Sequence, residues 1–163
     1  MTRTETARIA DLERRVARLE AHTHPTGQQP PAFVLTEAIK RNDDLADGAV
    51  TFGGVVDTGL GHYEYEWARP THWVTDSPWE NEIERLSALA HPLRGEILRR
   101  LLASPASVPE LVAEGIVSSA GTAYHHMNAL HAAGWVAKRD GGYTIPPGRI
   151  VPLMTIITAS EAH

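Results

Sequence analysis

The chain has 163 residues, no cysteine and a formal net charge of −5. The missing cysteines exclude disulfides, thiolate metal sites and a cysteine nucleophile, and the acidic balance opposes nucleic-acid binding by bulk charge alone. A hydrophobic content of 42% supports a modest core, in one domain or one domain with an appendage.

Charge is unevenly spread. Residues 31–79 hold eight acids and three basic residues, whereas residues 80–163 hold seven basic and eight acidic ones. The start, Met1-Thr2-Arg3-Thr4-Glu5, has no apolar run like a signal peptide's, and no segment is long enough to span a membrane. A cytoplasmic protein is expected.

Ile9, Leu12, Val16 and Leu19 are spaced 3, 4, 3 with Arg and Glu between them, an a/d seam about two heptads long. Residues 1–24 are therefore expected to form an amphipathic helix, dimerising through those four residues or docked on its own domain. Residues 25–32 read as a linker, because Pro25, Gly27, Pro30 and Pro31 cannot continue a helix.

Residues 33–76 read as an acidic module. A weak helical pattern puts Leu35, Ala38 and Ile39 on one side. A β-hairpin follows: Val50, Phe52 and Val56 alternate with polar or small residues, as do Tyr63, Tyr65 and Trp67, around an Asp57–Gly61 turn. One face is apolar, so the ribbon must cover something, either the first helix of the next domain or a small-molecule pocket.

Residues 77–148 read as helix, helix, turn, helix, hairpin. Ser77-Pro78-Trp79-Glu80 predicts a capped helix start, with Trp79, Ile83, Leu86 and Ala90 as its buried stripe. His91-Pro92 ends that helix and opens a second, with Leu93, Ile97, Leu101 and Leu102 inward and Arg94, Arg99 and Arg100 outward. Ser107-Val108-Pro109-Glu110 predicts a capping box on a short third helix. Ser119 caps a fourth that stops at Gly134, and Asp140-Gly141 turns a short terminal hairpin. Residues 149–163 form an apolar helix, read as a dimer surface through Ile150, Leu153, Met154 and Ile157.

On the fourth helix, Ala123, Met127, Leu130 and Gly134 share the inward face. Gly121, His125 and Asn128 point directly away, and His126 lies nearer the core edge. A face of small, hydrogen-bonding residues suits a major groove, and Ser118, Ser119 and Thr122 are placed to meet phosphates at the helix start. From Leu101 to Ala137, however, there is no Lys or Arg. Phosphate attraction would fall to Arg94, Arg99, Arg100, Lys138, Arg139 and Arg149, with histidines adding charge on acidification.

The run Leu89-Ala90-His91-Pro92-Leu93-Arg94, followed by Tyr124-His125-His126-Met127 and Ala133-Gly134-Trp135-Val136, resembles the winged helix-turn-helix of ArsR-type bacterial transcriptional regulators. Such helices commonly read Ser-Gln-Ser-Thr-Val-Ser-His-His-Leu, matched here by Ser119 to Met127. The capping Ser, the Thr and the His pair are kept, whereas Ala120, Asn128 and His131 replace the family's Gln, Lys and Arg. Those replacements remove the side chains best able to grip a base with two hydrogen bonds.

The resemblance implies a winged helix-turn-helix domain; with the elements read upstream, the expected fold is mainly α with small β, that domain being preceded by an N-terminal dimerising helix and an antiparallel β-hairpin module. The resemblance also implies a homodimer on double-stranded DNA, contacting it through Ser118, Ser119, Gly121, Thr122, His125, His126, Asn128, Lys138, Arg139 and Arg94. The acidic hairpin module, which the minimal domain of that family lacks, would be the input: a small-molecule effector site, a protein-docking surface or dimer scaffolding. The alternative is a winged-helix module used in protein assembly or ligand sensing. No phosphate loop, nucleophile elbow or telling carboxylate pair suggests catalysis, and no cofactor or metal site is expected. Nine histidines could still build a nitrogen/oxygen metal site, His22 and His24 being close in sequence and His62 or His72 able to lie near acids, but their spacing is not diagnostic.

Overall fold

The computed structural model describes residues 34–162. The seam Ile9, Leu12, Val16 and Leu19 and the linker 25–32 lie outside them. The chain divides into two units, 1–44 and 45–163, described separately. In the first, α1 (Val34–Lys40) carries a Lys40–Glu37 pair at 2.8 Å.

The second unit begins with the hairpin of β1 (Ala49–Thr58) and β2 (Gly61–Pro70). Pairing continues through Asp57↔His62 to Thr58↔Gly61, so the turn is the two residues Gly59-Leu60 rather than the five expected. The turn is seated on the protein: a Cβ at Gly59 would lie 1.7 Å from the Ala103 carbonyl oxygen. Pro70 leads into α2 (Thr71–Asp76), a helix the sequence did not suggest. Its start is satisfied from a distance, as the Asp47 carboxylate accepts the His72 N–H at 2.7 Å.

Ser77 closes α2 by donating its hydroxyl to the Trp73 carbonyl, and the next helix begins beyond it, with Trp79 in the cap position. That helix, α3 (Glu80–Ser87), has no side-chain cap, and its expected buried stripe is exposed: Trp79 and Ile83 each keep 54% of their surface. The core takes Ala88 instead, just beyond the helix.

Next come α4 (Pro92–Ala103), α5 (Val108–Ala113) and α6 (Ala120–Ala132), then β3 (Ala137–Arg139), β4 (Gly142–Thr144) and α7 (Pro147–Ala159). His91 caps α4, its Nδ1 accepting the Leu93 N–H. The Ser107/Glu110 capping box on α5 is complete. Asp140 (φ 48°) and Gly141 (φ 81°) make the tight turn. Ala106 pairs with Tyr143 as a third short strand segment. Ile97, Leu101, Leu111, Met127, Leu130, Ile145 and Ile150 fill one core. Three helices and a small hairpin around that core make a winged helix-turn-helix, with β3–β4 as its wing.

The apolar α7 is mostly consumed within the chain. Ile150, Val151 and Leu153 are buried, and the hairpin packs across the helix, with Val151 Cγ1 3.5 Å from where a Cβ at Gly54 would stand. The ribbon therefore covers α7, not the first winged-helix helix. Ile150 and Leu153, read from sequence as dimer contacts, are shielded by this chain; Met154 and Ile157 remain exposed. Among the described residues no helix is long and apolar enough to cross a membrane.

Candidate nucleic-acid interface

Helix α6 starts at Ser119, whose Oγ accepts the Thr122 N–H at 3.2 Å and lies 2.9 Å from Thr122 Oγ1. Ala123, Met127 and Leu130 lock the opposite face into the core. Gly121, His125 and Asn128 are exposed on the outer face, and Ser118 is exposed just before it. These residues share one accessible surface.

His126 departs from the expected set. It is buried, with its ring 4.6 Å from that of His91 and 5.1 Å from that of His125. Arg94 turns inward to it: Nε lies 3.4 Å from His126 Nδ1, and Nη1 donates to the Ala88 carbonyl at 3.1 Å. Arg94 thus ties the start of α4 to α6 and to the end of the preceding helix. Burial, then the neighbouring His91, Arg94 and His125, holds His126 below the ordinary imidazole value. It therefore lies behind the exposed face of α6, as a desolvated ring beside a guanidinium that resists taking a proton.

The other α4 cations are also engaged. Arg100 grips Glu114 through two nitrogens, one at 2.8 Å, and donates to Ser104; Arg99 pairs with Glu96. Arg149 lies over the Trp135 ring at 5.1 Å. Trp135 is itself fixed by its ring N–H, which donates to the Arg85 carbonyl at 2.8 Å. Lys138 and Arg139 on the wing are exposed, with Asp140 3.6 Å from Arg139.

Sequence reasoning missed Tyr124. It is 51% exposed and lines a 360 Å³ groove with Val108, Pro109 and Lys138 to Tyr143, between α6 and the wing. Its helical-wheel position, 100° from Ala123 and off the buried stripe, was the available signal. Elsewhere, His62 contacts Asp57 (2.7 Å) and Glu64 (3.4 Å), and these carboxylates raise its pKa above the ordinary value. Among the described residues no group of three His, Asp or Glu can hold a metal ion.

No protein-family profile matches the chain, and no curated protein matches it. Solved structures resemble about half of it. Rv0081 of M. tuberculosis is 29% identical over 50% of this chain and 85% of its own, with a TM-score of 0.44. HlyU from Vibrio cholerae N16961 is 24% identical over 48% and 89%, with a TM-score of 0.40. A transcriptional regulator HlyU from Vibrio vulnificus CMCP6 is 22% identical over 50% and 88%, with a TM-score of 0.38. Scores in this range do not assign the chain to a family.

Proposed function

We propose that this protein is a DNA-binding transcriptional regulator of ArsR-like type, occupying promoter DNA as a homodimer through α6 and the wing, without catalysis. The observation that carries this reading is one surface: the small, hydrogen-bonding face Gly121, His125 and Asn128, flanked by Tyr124 and by the wing cations Lys138 and Arg139. Low bulk allows close approach to base edges, and the wing supplies phosphate contacts. Ser118 and the Ser119–Thr122 hydroxyl pair stand at the helix N-terminus, where an anion is favoured. His126 and Arg94 support this surface from behind.

The test is binding to a fragment of the protein's own upstream DNA, by wild type and by the double variant His125→Ala/Asn128→Ala. Tight wild-type binding, weakened in the variant, is expected. Each lost base contact is worth about 1–3 kcal/mol of discrimination. Absent binding, or binding indifferent to the double variant, refutes the reading.

A second reading, assembly with another protein, is favoured by a different observation. Trp67, Trp73 and Trp79 are all exposed, with Arg69 lying 4.1 Å from the Trp67 ring and 4.6 Å from that of Trp73. Exposed tryptophans mark contact surfaces. Salt separates the two readings, since docking on apolar side chains responds weakly where phosphate contact responds steeply.

A further inference from the structure

The hairpin meets the wing root across an open cleft of about 860 Å³, a size in the range that accepts a drug-sized molecule. One wall is the hairpin turn: Gly59, Leu60 and Tyr63. That wall is fixed, because the Tyr63 hydroxyl donates to the Leu60 carbonyl at 2.9 Å and Gly59 is seated against Ala103. The other wall is the wing, Arg139 to Gly142, with Thr144 and Ile145 beyond. Reciprocal Ala106–Tyr143 backbone bonds of 3.0 and 2.8 Å tie the wing to the cleft floor.

Leu60, Tyr63, Pro105, Ile145 and Pro147 give the cleft apolar surface. Its charged groups are Glu110, Asp140 and Arg139. Asp140 lies 3.6 Å from the Arg139 guanidinium and offsets it. Glu110 Oε2 accepts the Ser107 hydroxyl and N–H, both at 2.7 Å, and these bonds hold its carboxyl below the usual range. No cation lining the cleft faces Glu110; Arg100, outside the lining, also lowers its pKa but is itself bonded to Glu114. The groups lining the cleft therefore present an apolar surface with one negative charge in excess.

We infer that this cleft is an effector site for a small amphipathic organic cation, its apolar body against Leu60, Tyr63 and Ile145 and its charge near Glu110. Occupation would push the wing away from the fixed hairpin wall and so shift where Lys138 and Arg139 lie. Only that coupling to DNA rests on the regulator reading; the binding itself does not.

The probes are tetraphenylphosphonium, the neutral triphenylphosphine oxide and the anionic tetraphenylborate, titrated calorimetrically into the full chain without DNA. The cation should bind saturably and more tightly than either of the others. Glu110→Gln keeps the capping box, since Gln serves at that position, and should weaken the cation about threefold while leaving the neutral probe unchanged. Arg139→Gln should strengthen it by a similar factor. Equal affinity for all three probes, no saturable binding, or a Glu110→Gln variant matching wild type would overturn the inference. A repeat of the DNA titration with saturating tetraphenylphosphonium then tests the coupling. Cation binding that leaves DNA affinity unchanged would overturn the coupling alone, and cation binding by a protein that never binds DNA would overturn the regulator reading alone.

Discussion

On the regulator reading, the salt dependence of DNA binding follows from which cations lie exposed beside α6. Residues 80–163 hold seven Lys and Arg. Arg85 is paired with Glu82, Arg99 with Glu96 and Arg100 with Glu114, while Arg94 is turned onto His126 and Arg149 lies over Trp135. Lys138 and Arg139 are the cations exposed on the wing beside α6, held by the Tyr143 ring at 5.9 Å and by Asp140 at 3.6 Å respectively, contacts a phosphate can replace. Each protomer should therefore neutralise about two phosphates, with a slope of log K against log salt of about −1.8 per protomer or −3.6 per dimer. Between 50 and 200 mM salt the dimer should then lose about 150-fold in affinity. Lys138→Ala should halve the slope and reduce that loss to about 12-fold. Fluorescence anisotropy on a labelled promoter fragment, across four salt concentrations, measures both. A wild-type slope near zero refutes phosphate contact by the wing. A slope of about −8 refutes the partner assignments instead, because it requires the α4 arginines to abandon theirs.

Two glycines should respond to alanine with opposite sign. A Cβ at Gly59 would collide with backbone at Ala103, so Gly59→Ala should destabilise by about 1–3 kcal/mol. Gly95 sits in α4 with nothing within 4 Å of a new Cβ, so Gly95→Ala should stabilise by about 0.5–1 kcal/mol. Urea midpoints decide both, and equal shifts would contradict the seating of the hairpin turn. The lowered His126 pKa makes a pH prediction. The unfolded chain takes up that proton near its ordinary value of 6.5 while the native state resists it, so stability should fall as pH drops below 6.5. His126→Asn should flatten the slope in that window. His62, whose pKa is raised, works in the other direction and is untouched by the variant.

The winged-helix half was legible because its signals are local. Ser107/Glu110 and Ser119 cap their own helices, and Ala123, Met127 and Leu130 repeat with helical period. Asp140-Gly141 demands the one turn it makes. What failed depended on distant partners. Ser77-Pro78-Trp79-Glu80 satisfies every local rule for a helix start, yet Ser77 is drawn to the end of the preceding helix, bonded to the Trp73 carbonyl, and the next helix starts only at Glu80. Arg94 looks solvent-facing on a helical wheel, but a side chain that long reaches the Ala88 carbonyl and a buried imidazole. Nothing within α4 records that either acceptor is near.

The apolar stripes were misassigned for a related reason: period identifies a face but not what covers it. Trp79, Ile83 and Leu86 have helical spacing, and α7 is apolar on nearly every side. The first was expected inside and the second on a partner. The hairpin reverses both. By lying across Ile150 to Leu153 it supplies from within the chain the cover a second subunit was expected to provide. It does not cover α3, whose stripe stays in solvent. Among the described residues, the apolar surface left open to a homodimer on the helices flanking the winged-helix core includes Ile83 and Leu86 on α3, Trp79 just before it, and Met154 and Ile157 toward the end of α7. Ile157→Glu, at a side chain 60% exposed, should then dissociate the dimer without unfolding the protomer. Leu153→Glu should unfold it, because that site is the chain's own core. Sedimentation with circular dichroism separates the outcomes, and a dimer that survives Ile157→Glu excludes this end of α7 as the seam.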